Sequence, residues 1–207
     1  MKYEWKKNDK NMYLPKNIPA LINVPSLPFF TISGKGNPND KEFIDAVGVL
    51  YSLAYTIKML PKKGVKVDNY YDYTVFPLEG VWDLSEEGRQ KEYLDKNELV
   101  YTIMIRQPDF VTLEFANEII EIVKNKKPNS LLDHVKFEKI EEGPCVQMLH
   151  LGSYDNESST FEVMQQYCNQ NNLKRISLTH REIYISDPRK VEASKLKTVL
   201  RFKVEKN

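Results

Sequence analysis

The chain has little of several features that would identify a class of function directly. It contains two cysteines and three histidines among 207 residues. Its 30 basic and 29 acidic side chains leave a formal net charge of +1, so we expect no long-range field that would attract nucleic acid. No apolar window approaches the length of a membrane span, and no apolar segment follows the charged start. These absences favour a cytoplasmic protein that binds neither nucleic acid directly nor a membrane.

Motifs for covalent chemistry and for cofactors are also missing. There is no glycine-rich phosphate loop, and no serine or cysteine stands in a nucleophile motif. Cys145 and Cys168 occupy apolar positions of a predicted strand and helix, which favours reduced core residues over a disulfide or a metal site. His134, His150 and His180 lack mutual metal-ligand spacing. We therefore expect no metal and no organic cofactor.

The hydrophobic pattern predicts alternating strands and helices after a proline-rich start. Residues 1–28 carry four prolines and are expected to form an extended arm. The predicted elements that follow are a strand at 29–33, a helix from Asp40 to about Pro61, strands at 73–83 and 99–106, a helix after Asp109, a strand at 145–151, a helix from Ser158 or Ser159, and strands at 182–185 and 195–201.

Two halves of the chain show the same pattern, which indicates an internal repeat. Gly34 corresponds to Gly152, and Phe43 corresponds to Phe161 at the same offset. Both halves then run strand, helix, strand, strand, over about 29–127 and 135–207. The predicted fold class is therefore α+β, with duplicated β-α-β-β modules packed about a pseudo-twofold axis. Such packing leaves a central groove in which a ligand would lie.

A carboxylate interrupts an apolar strand in the last third of the chain. Period-2 alternation places Ile183 and Ile185 on one face of the strand and Glu182 with Tyr184 on the other. Glu182 could be a surface carboxylate paired with a lysine, which is the usual situation. Alternatively, its face could form the floor of a binding pocket.

Several segments, in this order and spacing, resemble the GyrI-like small-molecule-binding domain, in particular its stand-alone bacterial members. They are LEGVW at 78–82, YTIMIRQPDF at 101–110, EEGPC at 141–145, HLGSYD at 150–155 followed by Glu157, H-x-EIYISDPR at 180–189, and KLKTVLR at 195–201. The resemblance covers nearly all of residues 29–207, which we treat as one domain following the arm. It implies a pair of SHS2-type β-α-β-β modules, an aromatic pocket and a buried pocket glutamate.

The resemblance implies three kinds of function. Relatives act as effector domains of multidrug-responsive transcription factors, as gyrase-modulating proteins, or as hydrolases that open the cyclopropane of DNA-alkylating natural products. No helix-turn-helix segment precedes the domain, so a DNA-reading role is not expected. The partner is then a hydrophobic or aromatic small molecule, with a gyrase interaction as an alternative. The oligomeric state stays open.

The same resemblance assigns roles to individual residues. Glu182 aligns with the pocket acid and is the predicted catalytic base, and Trp82 aligns with a ligand-stacking ring, although core packing is its ordinary role. Tyr71 is the predicted catalytic hydrogen-bond donor, and Tyr184, on the face of Glu182, is a predicted ligand contact. Glu79 is a secondary ligand-binding candidate, because alternation places it opposite Trp82 unless a bulge redirects the strand.

Two further ligand-binding candidates flank these residues. Tyr154 follows a strand end and could cap the groove or shield the turn. His180 lies two positions before Glu182 on the same strand face, where a structural role is the alternative. Arg181 departs from the subgroup, which often has a second histidine there. Hydrolysis by water addition and sequestration without chemistry need the same residues, so the sequence leaves both open.

Overall fold

The computed structural model describes residues 2–207 and shows a mixed α+β fold. The helices are α1 (Trp5–Asn8), α2 (Lys10–Tyr13), α3 (Lys41–Met59), α4 (Glu86–Arg89), α5 (Leu113–Lys126) and α6 (Glu157–Gln170). The strands are β1 (Ala20–Val24), β2 (Leu27–Lys35), β3 (Leu78–Leu84), β4 (Leu99–Arg106), β5 (Lys136–Ile140), β6 (Gly143–Leu151), β7 (Leu173–Arg175), β8 (His180–Tyr184) and β9 (Lys197–Lys206). No helix among these residues is long and apolar enough to cross a bilayer.

The chain divides into two compact units, of which the first comprises the residues up to Glu4, 27–78 and 83–140. Its central strand, β2, pairs antiparallel with β4 on one side and β5 on the other. Helix α3 packs against α5, β2 and β4. Phe30, Leu50 and Ile103 are fully buried in the resulting core.

The second unit comprises residues 5–26, 79–82 and 141–207. Its strands are antiparallel and lie in the order β1, β6, β9, β8 and the 79–82 part of β3, with β7 added to β9. Helix α6 packs on β6 and β7. Val146, Met164, Cys168, Leu200 and Phe202 form the core beneath this helix.

The apolar periodicity of the sequence predicts buried stripes in the two long helices of the first unit, at Phe43, Val47, Leu50, Ala54 and Ile57 of α3 and at Leu113, Ala116, Ile120 and Val123 of α5. In α3, Leu50, Ala54 and Ile57 are buried, whereas Phe43 and Val47 are partly buried. In α5, Leu113 begins the helix and is 60 % exposed. Its N-cap, Thr112, accepts a hydrogen bond from the backbone N–H of Phe115. The first turn of a helix can extend beyond the core, so apolar periodicity alone assigned one residue too many to the buried stripe of α5.

The arm contains secondary structure where extended backbone was expected. Helices α1 and α2 precede the first proline, Pro15, and bury Trp5 and Tyr13, whose ring centroids lie 5.4 Å apart. Strand β1 then pairs with β6. These apolar anchors explain why the segment folds onto the second unit.

Strand β3 starts later than the sequence predicts, and the two cysteines lie in the core. The strand expected from residue 73 begins at Leu78, directly after Pro77, which cannot donate a backbone hydrogen bond to a strand ladder. Cys145 and Cys168 are free and buried, which confirms their predicted positions in the core.

Candidate acidic site of the second unit

Strand β8 positions three of the predicted site residues on one face. Its uninterrupted antiparallel register with β3 places Gly80 opposite Glu182 and Trp82 opposite His180. Because side chains alternate along a strand, His180, Glu182 and Tyr184 share the face of Trp82. Ile183, on the other face, is fully buried. The alternation predicted from the sequence is therefore confirmed.

Glu182 is not a surface carboxylate. It is 9 % exposed, and its Oε1 lies 3.1 Å from Nε2 of His180. The ring of His180 packs edge-on against Phe161 of α6, with centroids 4.8 Å apart. A rigid ring contact on one side and a carboxylate on the other fix the orientation of the imidazole.

A second glutamate, Glu157, meets Glu182 at this face. Glu157 begins α6 and is 8 % exposed. One ring nitrogen of His180 and one carboxylate oxygen of each glutamate all lie within 4.8 Å of one another. Burial raises the pKa of Glu157, and the neighbouring charge and hydrogen bond of Glu182 raise it further. Both effects favour the protonated form of Glu157.

The sequence prediction missed Glu157 because it started the helix at Ser158 or Ser159. The buried residues of α6 are Glu157, Thr160, Met164 and Cys168. Met164 lies seven residues, or about two turns, after Glu157. Extending the apolar stripe back from Met164 by that spacing would have placed Glu157 inside.

An aromatic wall borders the two glutamates. Nε1 of Trp82 donates a 2.8 Å hydrogen bond to the hydroxyl of Tyr184. The rings of Tyr154 and Tyr184 meet edge to face, with centroids 5.9 Å apart. Burial, followed by the charge of Glu182 and a hydrogen bond to it, raises the pKa of Tyr184, and burial with the same charge raises that of Tyr154 to about 12. Both phenols therefore stay neutral and can serve as donors.

Gly80 allows the indole and the phenol to come this close. A Cβ atom at residue 80 would lie 2.7 Å from Nε1 of Trp82 and 3.3 Å from the hydroxyl of Tyr184. The close contact involves the ring of a buried tryptophan, which cannot move freely aside. The glycine is thus required by packing, since its backbone is ordinary strand.

Gly80→Ala is expected to destabilise the protein by about 1–3 kcal/mol, the usual cost of overpacking, and to shift the emission of Trp82. Urea denaturation followed by tryptophan fluorescence measures both effects. Gly48→Ala is the control, because its Cβ would meet no atom within 4 Å in the middle of α3. It should stabilise the helix by about 0.5–1 kcal/mol. Equal effects of the two substitutions would contradict the packing argument.

The opposite face of the same strands holds a buried ion network that includes Glu79. Arg181 donates a 2.7 Å hydrogen bond to Glu79 and lies 3.1 Å from Glu142, which also accepts a 2.8 Å bond from Arg201. The hydroxyl of Tyr13 donates a 3.0 Å hydrogen bond to Oε1 of Glu79. No bulge interrupts β3, so Glu79 does not join Trp82. Arg181, the departure from the subgroup, has a structural role in this network.

The network makes stability depend on pH at the acid end. Burial alone would raise the pKa of Glu142, but the guanidinium groups of Arg181 and Arg201 outweigh it and lower that pKa. The contribution of Glu142 to the free energy of unfolding is therefore fully present above the pKa of a glutamate in the unfolded chain, about 4.3. It is lost as the pH falls through the lower pKa that Glu142 has in the folded protein.

We expect the free energy of unfolding to decrease below about pH 4 and Glu142→Gln to flatten that decrease. Urea denaturation between about pH 3 and pH 6 provides the measurement. The matched control is Glu162→Gln on the exposed side of α6, which should keep the full slope. An unchanged slope in Glu142→Gln would show that other carboxylates dominate.

Tyr71 lies in the first unit, among other aromatic rings. Its ring centroid is 5.7 Å from that of Tyr3 and 5.3 Å from that of Phe110, and Tyr73 is a third neighbour. The candidates of the second unit are Glu182, Glu157, His180, Tyr184, Tyr154 and Trp82. The catalytic role of Tyr71 stays a prediction.

His150 is a structural histidine. One ring nitrogen lies 2.8 Å from the hydroxyl of Thr160 and the other 3.0 Å from the carbonyl of Ser153. These bonds connect the end of β6 to the first turns of α6. They thereby fix the position from which Glu157 enters the site.

A surface depression in the first unit is a weaker candidate. It has a volume of about 620 Å³ and runs along α5, lined by Glu114, Asn117, Glu118, Glu121 and Ile122. Its glutamates are exposed, in contrast to Glu157 and Glu182. A buried acid with a raised pKa, such as Glu157, is more typical of a functional site.

The buried acid pair and its aromatic wall define a small-molecule-binding domain. The family model for the GyrI-like small molecule binding domain matches residues 19–205, and the chain belongs to this family. Comparison with curated proteins gave no match.

Solved structures show the same fold. A hydrolase from Listeria innocua is 39 % identical, with a TM-score of 0.91 over 99 % of this chain and 100 % of that one. A second structure, also described as a hydrolase from Listeria innocua, is 38 % identical, with a TM-score of 0.88 over 98 % and 100 %. The EcmrR C-terminal domain, 16 % identical with a TM-score of 0.52 over 91 % and 98 %, shares the fold alone.

Proposed function

We propose that the second unit binds planar, hydrophobic small molecules and hydrolyses cyclopropane-containing DNA-alkylating compounds by adding water. The buried Glu157–Glu182 pair beside the ring of Trp82 is the observation that carries this proposal. The description of two close structural relatives as hydrolases supports it. The same proposal places the chain in the stand-alone bacterial subgroup of the family and assigns it a role in detoxification.

The chemistry requires three groups around a strained ring fused to a dienone: a flat apolar clamp, for which Trp82 is the candidate, a general base and a hydrogen-bond donor. Glu182 takes a proton from a water molecule, whose oxygen attacks a cyclopropane carbon. The C–C bond breaks, and its electron pair moves through the conjugated system to the carbonyl oxygen. A phenol that donates a hydrogen bond to that oxygen stabilises the developing charge. Protonation of the resulting phenolate completes the addition.

Tyr154 is the donor that the geometry supports best in this unit. The hydroxyl of Tyr184 already accepts from Trp82 and hydrogen-bonds to Glu182. In the described part of the chain, the hydroxyl of Tyr154 has no hydrogen-bond partner. Tyr184 then holds Glu182 and Trp82 in place. Tyr71 stays the predicted donor of the sequence analysis, to be compared directly with Tyr154 by Phe substitution.

The domain organisation is proposed along the same lines. Along the chain, β2, α3, β3 and β4 precede β6, α6, β8 and β9, an order that supports duplicated β-α-β-β modules of the SHS2 type. The organisation into an arm at 1–28 and one domain at 29–207 belongs to this proposal.

The test is to incubate purified protein with a cyclopropane-containing alkylator in ¹⁸O-labelled water. Mass spectrometry should detect a ring-opened product that carries one labelled oxygen and accumulates beyond one equivalent of protein. Protection of DNA at one equivalent without such a product would instead identify a sequestering protein, the function that the family description also supports. A stable complex with gyrase that tolerates substitution of Glu182 and Trp82 would contradict both hydrolysis and sequestration, and would identify a gyrase-interacting protein.

A further inference from the structure

The two buried glutamates and His180 also have the composition of a metal centre. Their ligand atoms come from the first turn of α6 and from two positions of one face of β8. Nε2 of His180 and Oε1 of Glu182 are already 3.1 Å apart. Metal–ligand bonds of about 2.0–2.2 Å place neighbouring ligands about 3 Å from each other, so this pair can share one ion as it stands.

The charges around the site favour a cation. Glu157 and Glu182 face each other, and among residues 2–207 no lysine or arginine pairs with either of them. The guanidinium groups of Arg181 and Arg201 lie in the network on the other face of the strands. Arg175 stacks on Phe202, at 4.4 Å from the ring centroid. His180 is thus the one basic partner of the two acids in the described chain.

Glu157 supplies an independent observation that points to a ligand. Glu157 is 8 % exposed, and its Oε1 has no hydrogen-bond partner. Leaving a buried carboxylate oxygen unsatisfied costs about 1–3 kcal/mol, and more if it is charged. An ion coordinated by this oxygen would remove that cost. One carboxylate oxygen of Glu157 and the ligand atoms of His180 and Glu182 lie within 4.8 Å of one another, so a small movement of the side chains would bring all three to one ion.

We propose that Glu157, His180 and Glu182 bind one divalent transition-metal ion of the Zn²⁺ or Mn²⁺ type. One imidazole nitrogen and two carboxylate oxygens suit this class, whereas Ca²⁺ and Mg²⁺ prefer oxygen ligands alone. Three protein ligands leave a coordination position open for water. Histidine spacing alone predicts no metal site, because two of the three ligands proposed here are glutamates and Glu157 is distant in sequence from His180.

The proposal goes beyond hydrolysis and does not depend on it. A metal-bound water is a stronger nucleophile at neutral pH than a free one. Binding is measured without any organic compound, and turnover is measured both with EDTA and with added Zn²⁺. Failure of metal binding and failure of hydrolysis are therefore seen separately.

The test uses the full chain after dialysis against EDTA. Titration with Zn²⁺ in a calorimeter should show one equivalent bound, and Co²⁺ should give a visible absorption band that Zn²⁺ displaces. Glu157→Gln and His180→Ala should each weaken binding by about tenfold or more. Zn²⁺ should raise the melting temperature of the unsubstituted protein more than that of either variant at the same concentration.

Two controls decide whether the ion binds where we propose. His134→Ala changes a histidine outside the cluster, and Glu162→Gln changes an exposed acid of α6; both should bind Zn²⁺ as the unsubstituted chain does. If Glu157→Gln fails to fold by circular dichroism, Glu157→Asp, which keeps the charge and shortens the reach, takes its place. Absence of binding at millimolar Zn²⁺, or equal binding by the cluster variants, would overturn the proposal.

Discussion

Glu182→Gln is expected to lower the rate of cyclopropane opening by about 10²–10⁴-fold, the usual contribution of a positioned general base. Glutamine keeps the size of the side chain and can still contact His180, 3.1 Å away. It cannot accept a proton from water. Single-turnover and steady-state rates, followed by the appearance of the ring-opened product, measure this loss.

The same variant separates catalysis from binding. If Glu182 acts as a base, the Kd for a planar ligand, followed by quenching of Trp82 fluorescence, should change only a few-fold while kcat collapses. Glu162→Gln, on the exposed side of α6, should retain both. If the charge of Glu182 serves to hold a cationic ligand, the Kd will rise instead. Unchanged turnover would remove Glu182 from the reaction.

The part of the site that follows from strand alternation could be predicted. Period-2 spacing placed Glu182 with Tyr184 and His180, and it placed Glu79 on the opposite face from Trp82; the register of β3 with β8 confirms both. This worked because the two faces of a strand are fixed by the backbone itself. No tertiary information was needed.

The partners of these residues required the three-dimensional structure. Glu157 was missed because helix boundaries are the least certain part of a sequence-based assignment, and here the error was one or two residues. Arg181 meets Glu142 because β6, β9 and β8 are neighbours in the second unit. That strand order depends on contacts distant in sequence, which neither local spacing nor side-chain type reveals.

Arg181→Met is expected to destabilise the protein by about 3–5 kcal/mol, the largest stability effect we predict. Arg181 is almost completely buried and pairs with Glu79 and Glu142. Methionine fills much of the volume of the arginine stem but leaves Glu79 with Tyr13 alone as its partner. The cost comes from the negative charge that the substitution leaves buried without a cationic partner. An intact buried ion pair by itself stabilises a protein little more than apolar side chains of the same volume would.

Two further variants distinguish the charge from the packing. Arg189→Met removes an exposed arginine, paired with Asp187 at the surface, and should change stability by about 0.5 kcal/mol or less. The double substitution Arg181→Met with Glu79→Gln removes a charge of each sign and should recover part of the loss. Urea denaturation at pH 7 measures all three. If Arg181→Met costs no more than Arg189→Met, the network does not stabilise the second unit, and Arg181 would have to be reconsidered as a site residue.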